Sequence, residues 1–190
     1  DRANNRVVVF DAADFSVVGT VVTGQGVFHM WIYQVGKQLW VNNDIYNTTT
    51  VIDPHSLEVL ATVPTPADLV ALGGKPHDVI VDHNSKFAYV SVLGLSGAND
   101  YVVQFSTDTF AETNRAAVGQ DPHLSLTRRN AYLYVPTQNS NAVYVLDRIT
   151  LAQVDVLAVP GAHGAGMTFS GKYFYTTNLP GGGPDALFTI

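Results

Sequence analysis

Cysteine is absent from all 190 residues. That excludes disulfides, thiolate metal centres, iron–sulfur clusters and a cysteine nucleophile. Charge is scarce as well: only 14% of residues are Asp, Glu, Lys or Arg, and the ten basic residues are scattered. Arg128-Arg129 is the one adjacent basic pair and reads as a solvated turn. With a net charge of −6 the chain lacks the clustered Lys and Arg that phosphate recognition needs, so no nucleic-acid partner is expected. No apolar run approaches the roughly 18 residues of a membrane span, and no block of like charge marks a tail. The chain opens on Asp1 with neither Met nor signal peptide, which reads as a mature form, a processed product or an excerpt.

What remains is a globular composition, 46% hydrophobic, arranged as a repeat. His29, His77, His123 and His163 stand 48, 46 and 40 residues apart. Each opens a first strand: His29-Met-Trp-Ile-Tyr33, Pro76-His77-Asp-Val-Ile-Val81, Pro122-His123-Leu-Ser-Leu126 and Ala162-His163-Gly-Ala-Gly-Met167. A second strand follows, with Trp40, Tyr89, Tyr134 and Tyr175 in register. Third strands end in Asp53, Ser106 and Asp147, and at the N-terminus in Asp11. Turns rich in Asp, Ser and Thr come next, where short side chains bond the local backbone. More polar fourth strands complete each unit. Only Thr65 to Leu72 reads as a short helical insertion.

A period of 40 to 50 residues built from short strands predicts a β-propeller of four-stranded antiparallel blades, an all-β fold. The units divide as residues 1–25, the end of one blade; 26–74, 75–120 and 121–161, one blade each; and 162–190, the start of another. First and second strands read as apolar on both faces, which places the histidines on the inside and the fourth strands at the rim. About four to five blades are present. Val7 to Asp11 and Ala186 to Ile190 both claim a third-strand place, so closure into four blades is redundant by one strand. The count therefore predicts part of a ring of six to eight blades, completed by further blades or another chain.

Lys75-Pro-His-Asp-Val-Ile-Val-Asp82, Lys86-Phe-Ala-Tyr-Val-Ser91 and Asn141-Ala-Val-Tyr-Val-Leu-Asp147 resemble the repeat of the YVTN β-propeller family. The resemblance covers nearly the whole chain, and implies an exported protein, periplasmic or extracellular, that binds a protein or glycan partner. The Asp-Gly turn of that repeat is replaced by Asn84-Ser85 and Arg129-Asn130 in two units. Asp121-Pro-His-Leu-Ser-Leu126 is similar to the His-Pro-His-Ile-Ser segment of the nitrous oxide reductase propeller, whose inner-strand histidines hold a copper–sulfide cluster. What carries over is His123, with His77 and His163 at analogous blade positions; Asp121 stands where that family has its paired histidine.

Equivalent blade positions lie on one ring, so the four histidines are candidate ligands for a transition metal, copper first. The alternative is that they are a structural habit of the repeat, each bonding a neighbouring blade. Asp78 and Asp121 flank the ring as carboxylates that would orient the ligands or accept a proton, or that serve the turns. His55 and His83 read as solvated turn residues, Trp31 as a core aromatic, and Pro180-Gly-Gly-Gly-Pro184 as a link between strands. No residue set assigns a catalytic reaction. A metal site and a non-catalytic binding scaffold both stand as readings of the chain.

Overall fold

The computed structural model describes residues 1–32, 37–126, 131–179 and 185–190. Tyr33, the Arg128-Arg129 pair, the Arg129-Asn130 turn and the Pro180 to Pro184 link lie outside the described residues.

Among the described residues, five antiparallel sheets follow one another along the chain. The first pairs β1 (Arg6–Phe10) with β2 (Val17–Val22). The second runs β3 (Val27–Ile32), β4 (Leu39–Asn43), β5 (Thr48–Ile52), β6 (Val59–Pro64) in sequence order. A short helix, α1 (Ala67–Ala71), falls inside the stretch expected to be helical. The third sheet repeats the order with β7 (Lys75–Val81), β8 (Phe87–Leu93), β9 (Asp100–Ser106) and β10 (Glu112–Val118). The fourth holds β11 (Tyr132–Thr137), β12 (Ala142–Asp147) and β13 (Gln153–Ala158). The fifth holds β14 (Ala162–Met167), β15 (Phe174–Asn178) and β16 (Leu187–Thr189).

Packing follows from side chains alternating across each strand. On β8, Ala88, Val90 and Val92 join Trp40 and Val51 of the second sheet, while Tyr89 joins Leu133 and Leu146 of the fourth. Two more clusters join the first sheet to the second and the fourth to the fifth. No buried cluster among the described residues joins the first sheet to the last. The aromatics in register bind each sheet to its successor. Trp40 packs toward Phe105, the Tyr89 hydroxyl donates to the carbonyl of Arg148, and Tyr134 stacks on Phe174 with centroids 4.7 Å apart. Burial pushes the Tyr89 phenol far above its ordinary range.

The hairpins that follow β1, β5, β9 and β12 repeat atom for atom. The carbonyls of Asp11, Asp53, Ser106 and Asp147 accept from the N–H of Phe15, Leu57, Phe110 and Leu151, at 2.8–2.9 Å. Those four bulky residues all sit in the left-handed region, φ 53 to 61°. Such a conformation costs a non-glycine residue roughly 1–2 kcal/mol, whereas burying a leucine returns roughly 1.5–3 kcal/mol. Leu151, 3% exposed, packs against the third sheet, and Leu57 and Phe110 likewise reach the preceding sheet. Phe15, with no sheet before it among the described residues, is 78% exposed.

Three expectations are corrected. Residues Pro122 to Leu126 form no continuous strand: only Pro122↔Thr137 and Ser125↔Tyr134 pair, as isolated bridges. The partner of His123 there is Pro136, which accepts from the His123 N–H but has no N–H to return. In the second and third sheets the most buried strands are the second and third, not the first, because the free edge of a first strand pairs with nothing. For the same reason Trp31, on the innermost strand β3, stays 42% exposed and is not a core aromatic.

Candidate functional site

The inner strands carry β-bulges where the histidines sit. Register slips between Val27 and Met30, between Pro76 and Val79, and between Ala162 and Ala165. In each case two residues face a single partner, at Asn42, Ser91 and Thr177 respectively, and the bulge re-aims their side chains. The pairs are Phe28-His29, His77-Asp78 and His163-Gly164, so His29 occupies the ladder place of Asp78 rather than that of His77. The fourth sheet has no bulge at this point, and His123 sits opposite Pro136. The four histidines thus share an end of the fold but not one ladder position.

Polar residues two places beyond the register aromatics hold this arrangement. Ser91 Oγ accepts from the Asp78 N–H at 2.9 Å, and Asn42 Nδ2 donates across sheets to the His77 carbonyl at 3.0 Å. Thr49 Oγ1 fixes the Asn42 amide by donating to its Oδ1 at 2.7 Å. Ser91 is fully buried. Ser91→Ala leaves a buried N–H without an acceptor, for an expected loss of roughly 1–2 kcal/mol. The measurement is the urea midpoint, and an unchanged midpoint would count against this account of the bulge.

The rings converge. Centroids lie 4.8 Å apart for His29 and His77, 5.0 Å for His77 and His123, and 3.9 Å for His123 and His163. Phe28 abuts the first two rings, and the Arg2 guanidinium lies over Phe28 while paired with Asp44. Among the described residues, one set brings ligand atoms within 4.8 Å of one another: His77, Asp121 and His123. Asp121, expected to flank the ring, brings its carboxylate into this set. His29 and His163 flank the set.

Asp78 ties three sheets together. Its Oδ1 accepts from the Val79 N–H and lies 3.4 Å from His29 Nδ1, and its Oδ2 accepts from the Leu124 N–H at 3.0 Å. Burial pushes this carboxyl up, but the His29 contact and the Leu124 N–H outweigh it and hold it below the ordinary range. Asp121 has φ 61°, a left-handed conformation that Asp tolerates, and its N–H donates to Asp100 Oδ2 at 2.9 Å. Burial lowers the pKa of His77, with the neighbouring His29 acting in the same direction. Burial, then His163 and His77, push His123 down to about 4. Both imidazoles are therefore neutral at pH 7, the form that ligates a metal.

His123 Nε2 is the one nitrogen among the buried side-chain atoms left without a hydrogen-bond partner in the described residues. It lies 3.7 Å from Asp121 Oδ1, outside hydrogen-bonding range. An orphaned ring nitrogen aimed at a carboxylate and a second imidazole forms a donor set of two nitrogens and one oxygen. That set suits Cu, Zn, Ni or Fe(II).

Away from this cluster, His55 is an exposed turn residue whose N–H donates to Asp53. His83 is not simply solvated: its Nδ1 meets Arg148 Nη1 of the next sheet at 2.5 Å.

A model of the lactonase family, described as a seven-bladed β-propeller, matches residues 4–152. The chain belongs to that family. Its fold recurs in Kuenenia stuttgartiensis hydrazine synthase, with TM-score 0.82 and 16% identity over the whole chain. It recurs in the dihydro-heme d1 dehydrogenase NirN in complex with DHE, with TM-score 0.74 and 13% identity over the whole chain. A third match is a functionally unknown protein from Desulfotomaculum acetoxidans DSM 771, with TM-score 0.80 and 13% identity, again over the whole chain. The propeller spans 57%, 40% and 63% of those three chains respectively. At such identities the likeness establishes the fold alone. No curated protein matches the sequence.

Proposed function

We propose that this propeller binds a transition-metal ion at the inner-strand end of its sheets, through His77, His123 and Asp121. The observation that carries the reading is the buried, unpartnered Nε2 of His123 facing the other two donors. A buried polar atom without a partner costs roughly 1–3 kcal/mol, and coordination removes that cost. Copper is the favoured ion, since it heads the divalent affinity order and needs no thiolate. His29 and His163 flank the three donors, their ring centroids 4.8 Å from that of His77 and 3.9 Å from that of His123 respectively. Asp78 orients His29.

Within the family we assign the chain to the YVTN-repeat type, with a periplasmic or extracellular location. Further blades, on more of the same chain or on another, would complete a seven-bladed ring. Elemental analysis of protein purified without chelator tests the metal reading. About one equivalent of a first-row transition metal is expected, and less than roughly a tenth of an equivalent rejects it.

A second reading, a non-catalytic scaffold for a protein or glycan, is favoured by the rim. Val17 and Val18 on β2, Val59 and Leu60 on β6, and Val154 and Val156 on β13 are all exposed there. Protein that stays metal-free in the same analysis would leave this second reading standing.

A further inference from the structure

We propose that the metal centre keeps one exchangeable position, open to the pocket beside Asp121, where a small molecule with a nitrogen or oxygen donor binds. This rests on the metal reading above. Structural sites of borderline metals close with four protein donors, whereas sites that exchange ligands hold three and leave a place free. Here three donors converge, and neither His29 nor His163 joins them within the same distance.

Asp121 belongs to two places at once. It supplies a carboxylate to the cluster, and it lines a cavity of about 360 Å³ together with Leu95, Asp100, Gln120 and Asn139. The cavity lies between the third and fourth sheets, at the end where the inner strands begin. Its wall is fixed. The Ser96 N–H donates to the Leu72 carbonyl just beyond α1 at 2.8 Å, pinning the loop before β9. The buried Asp100 carboxylate then joins that loop to the site, since Oδ1 accepts from the Leu95 N–H at 3.1 Å and Oδ2 from the Asp121 N–H.

The volume falls at the small end of ligand pockets, roughly 300–1,000 Å³. Gln120 and Asn139 offer amide donors and acceptors, while Asp100 and Asp121 repel a multiply charged anion. The guest that fits is a small neutral molecule or monoanion able to displace a metal-bound water.

The test loads the full chain with Co(II) after EDTA treatment, follows the visible ligand-field bands, and titrates with azide as the probe. Saturable band shifts are expected. In Asn139→Trp the indole fills the cavity, so Co(II) uptake and the azide-free spectrum should stay as in the parent chain, with azide affinity at least about tenfold weaker. If that variant fails to fold, Gln120→Trp on the adjoining wall takes its place. Co(II) uptake with azide-insensitive bands overturns the open position and leaves the metal reading intact. Equal azide affinity in the folded tryptophan variant overturns the pocket assignment. Absence of Co(II) uptake overturns the metal reading and this inference together.

Discussion

His123→Leu is expected to weaken metal binding by at least about 100-fold while leaving the metal-free protein as stable as the parent, or more stable. The first effect follows from ligand count. Loss of residues that merely support ligands costs roughly 10- to 100-fold, and His123 is itself one of three converging donors. The second follows from what His123 lacks. Its side chain is buried, and its Nε2 neither donates nor accepts a hydrogen bond. Leucine has similar volume and no polar atom, so the roughly 1–3 kcal/mol penalty of the orphaned nitrogen disappears. Some packing is lost in exchange, since the ring lies 3.9 and 5.0 Å from the rings of His163 and His77. The pair of signs is the diagnostic: a functional residue held at a stability cost, as at many sites. Calorimetric metal titration and urea unfolding of EDTA-treated protein measure the two. A variant that retains full metal affinity, or loses more than about 2 kcal/mol of apo stability, would show that His123 serves packing instead.

The architecture was legible because a propeller repeats its chemistry. Trp40, Tyr89, Tyr134 and Tyr175 mark one register, and Asp11, Asp53, Ser106 and Asp147 mark one hairpin. Any single copy is a weak signal, but several copies at one period exclude other readings. The site was legible only as a shared end of the fold. Whether His29 points with His77 depends on a bulge that sets two residues against one, and alternation along a strand does not reveal that insertion. The usable signal lay in the partner strand. Asn42, Ser91 and Thr177 are polar residues opposite the bulges, and Pro136 takes their place in the fourth sheet, which has no bulge at that point. The closeness of the Asp121 carboxylate to His123 Nε2, 3.7 Å, accompanies a left-handed φ that its chain neighbours do not signal. Asp100 meets Asp121 across 21 residues, and His83 meets Arg148 across 65. Contacts so distant in sequence leave no local trace. Exposure of Trp31 was missed for a related reason: a strand with apolar residues on both faces looks the same whether or not another strand covers its edge.

Acid is expected to destabilise the metal-free protein well above the range in which carboxylates titrate. His123 has its pKa lowered from 6.5 to about 4, and that of His77 is lowered too, in both cases first by burial. Below pH 6.5 the unfolded chain takes up protons at these rings that the folded chain refuses. The unfolded state thus binds more protons, so stability is complete above about 6.5, falls as pH drops, and levels off near 4 as folded His123 also protonates. His123 alone accounts for roughly 3 kcal/mol across that window. The Asp78 carboxyl, held below its ordinary 3.8, loses its contribution only at lower pH, so the two windows separate. Urea midpoints of EDTA-treated protein at pH 7.0, 5.5 and 4.5 give the slope, and His123→Leu supplies the control. The parent chain should lose stability steeply over this range, and the variant should lose substantially less, with His77 as its remaining source. Parallel slopes in the two proteins would mean that His123 protonates as readily folded as unfolded, and would remove the burial on which the neutral, metal-ready imidazole depends.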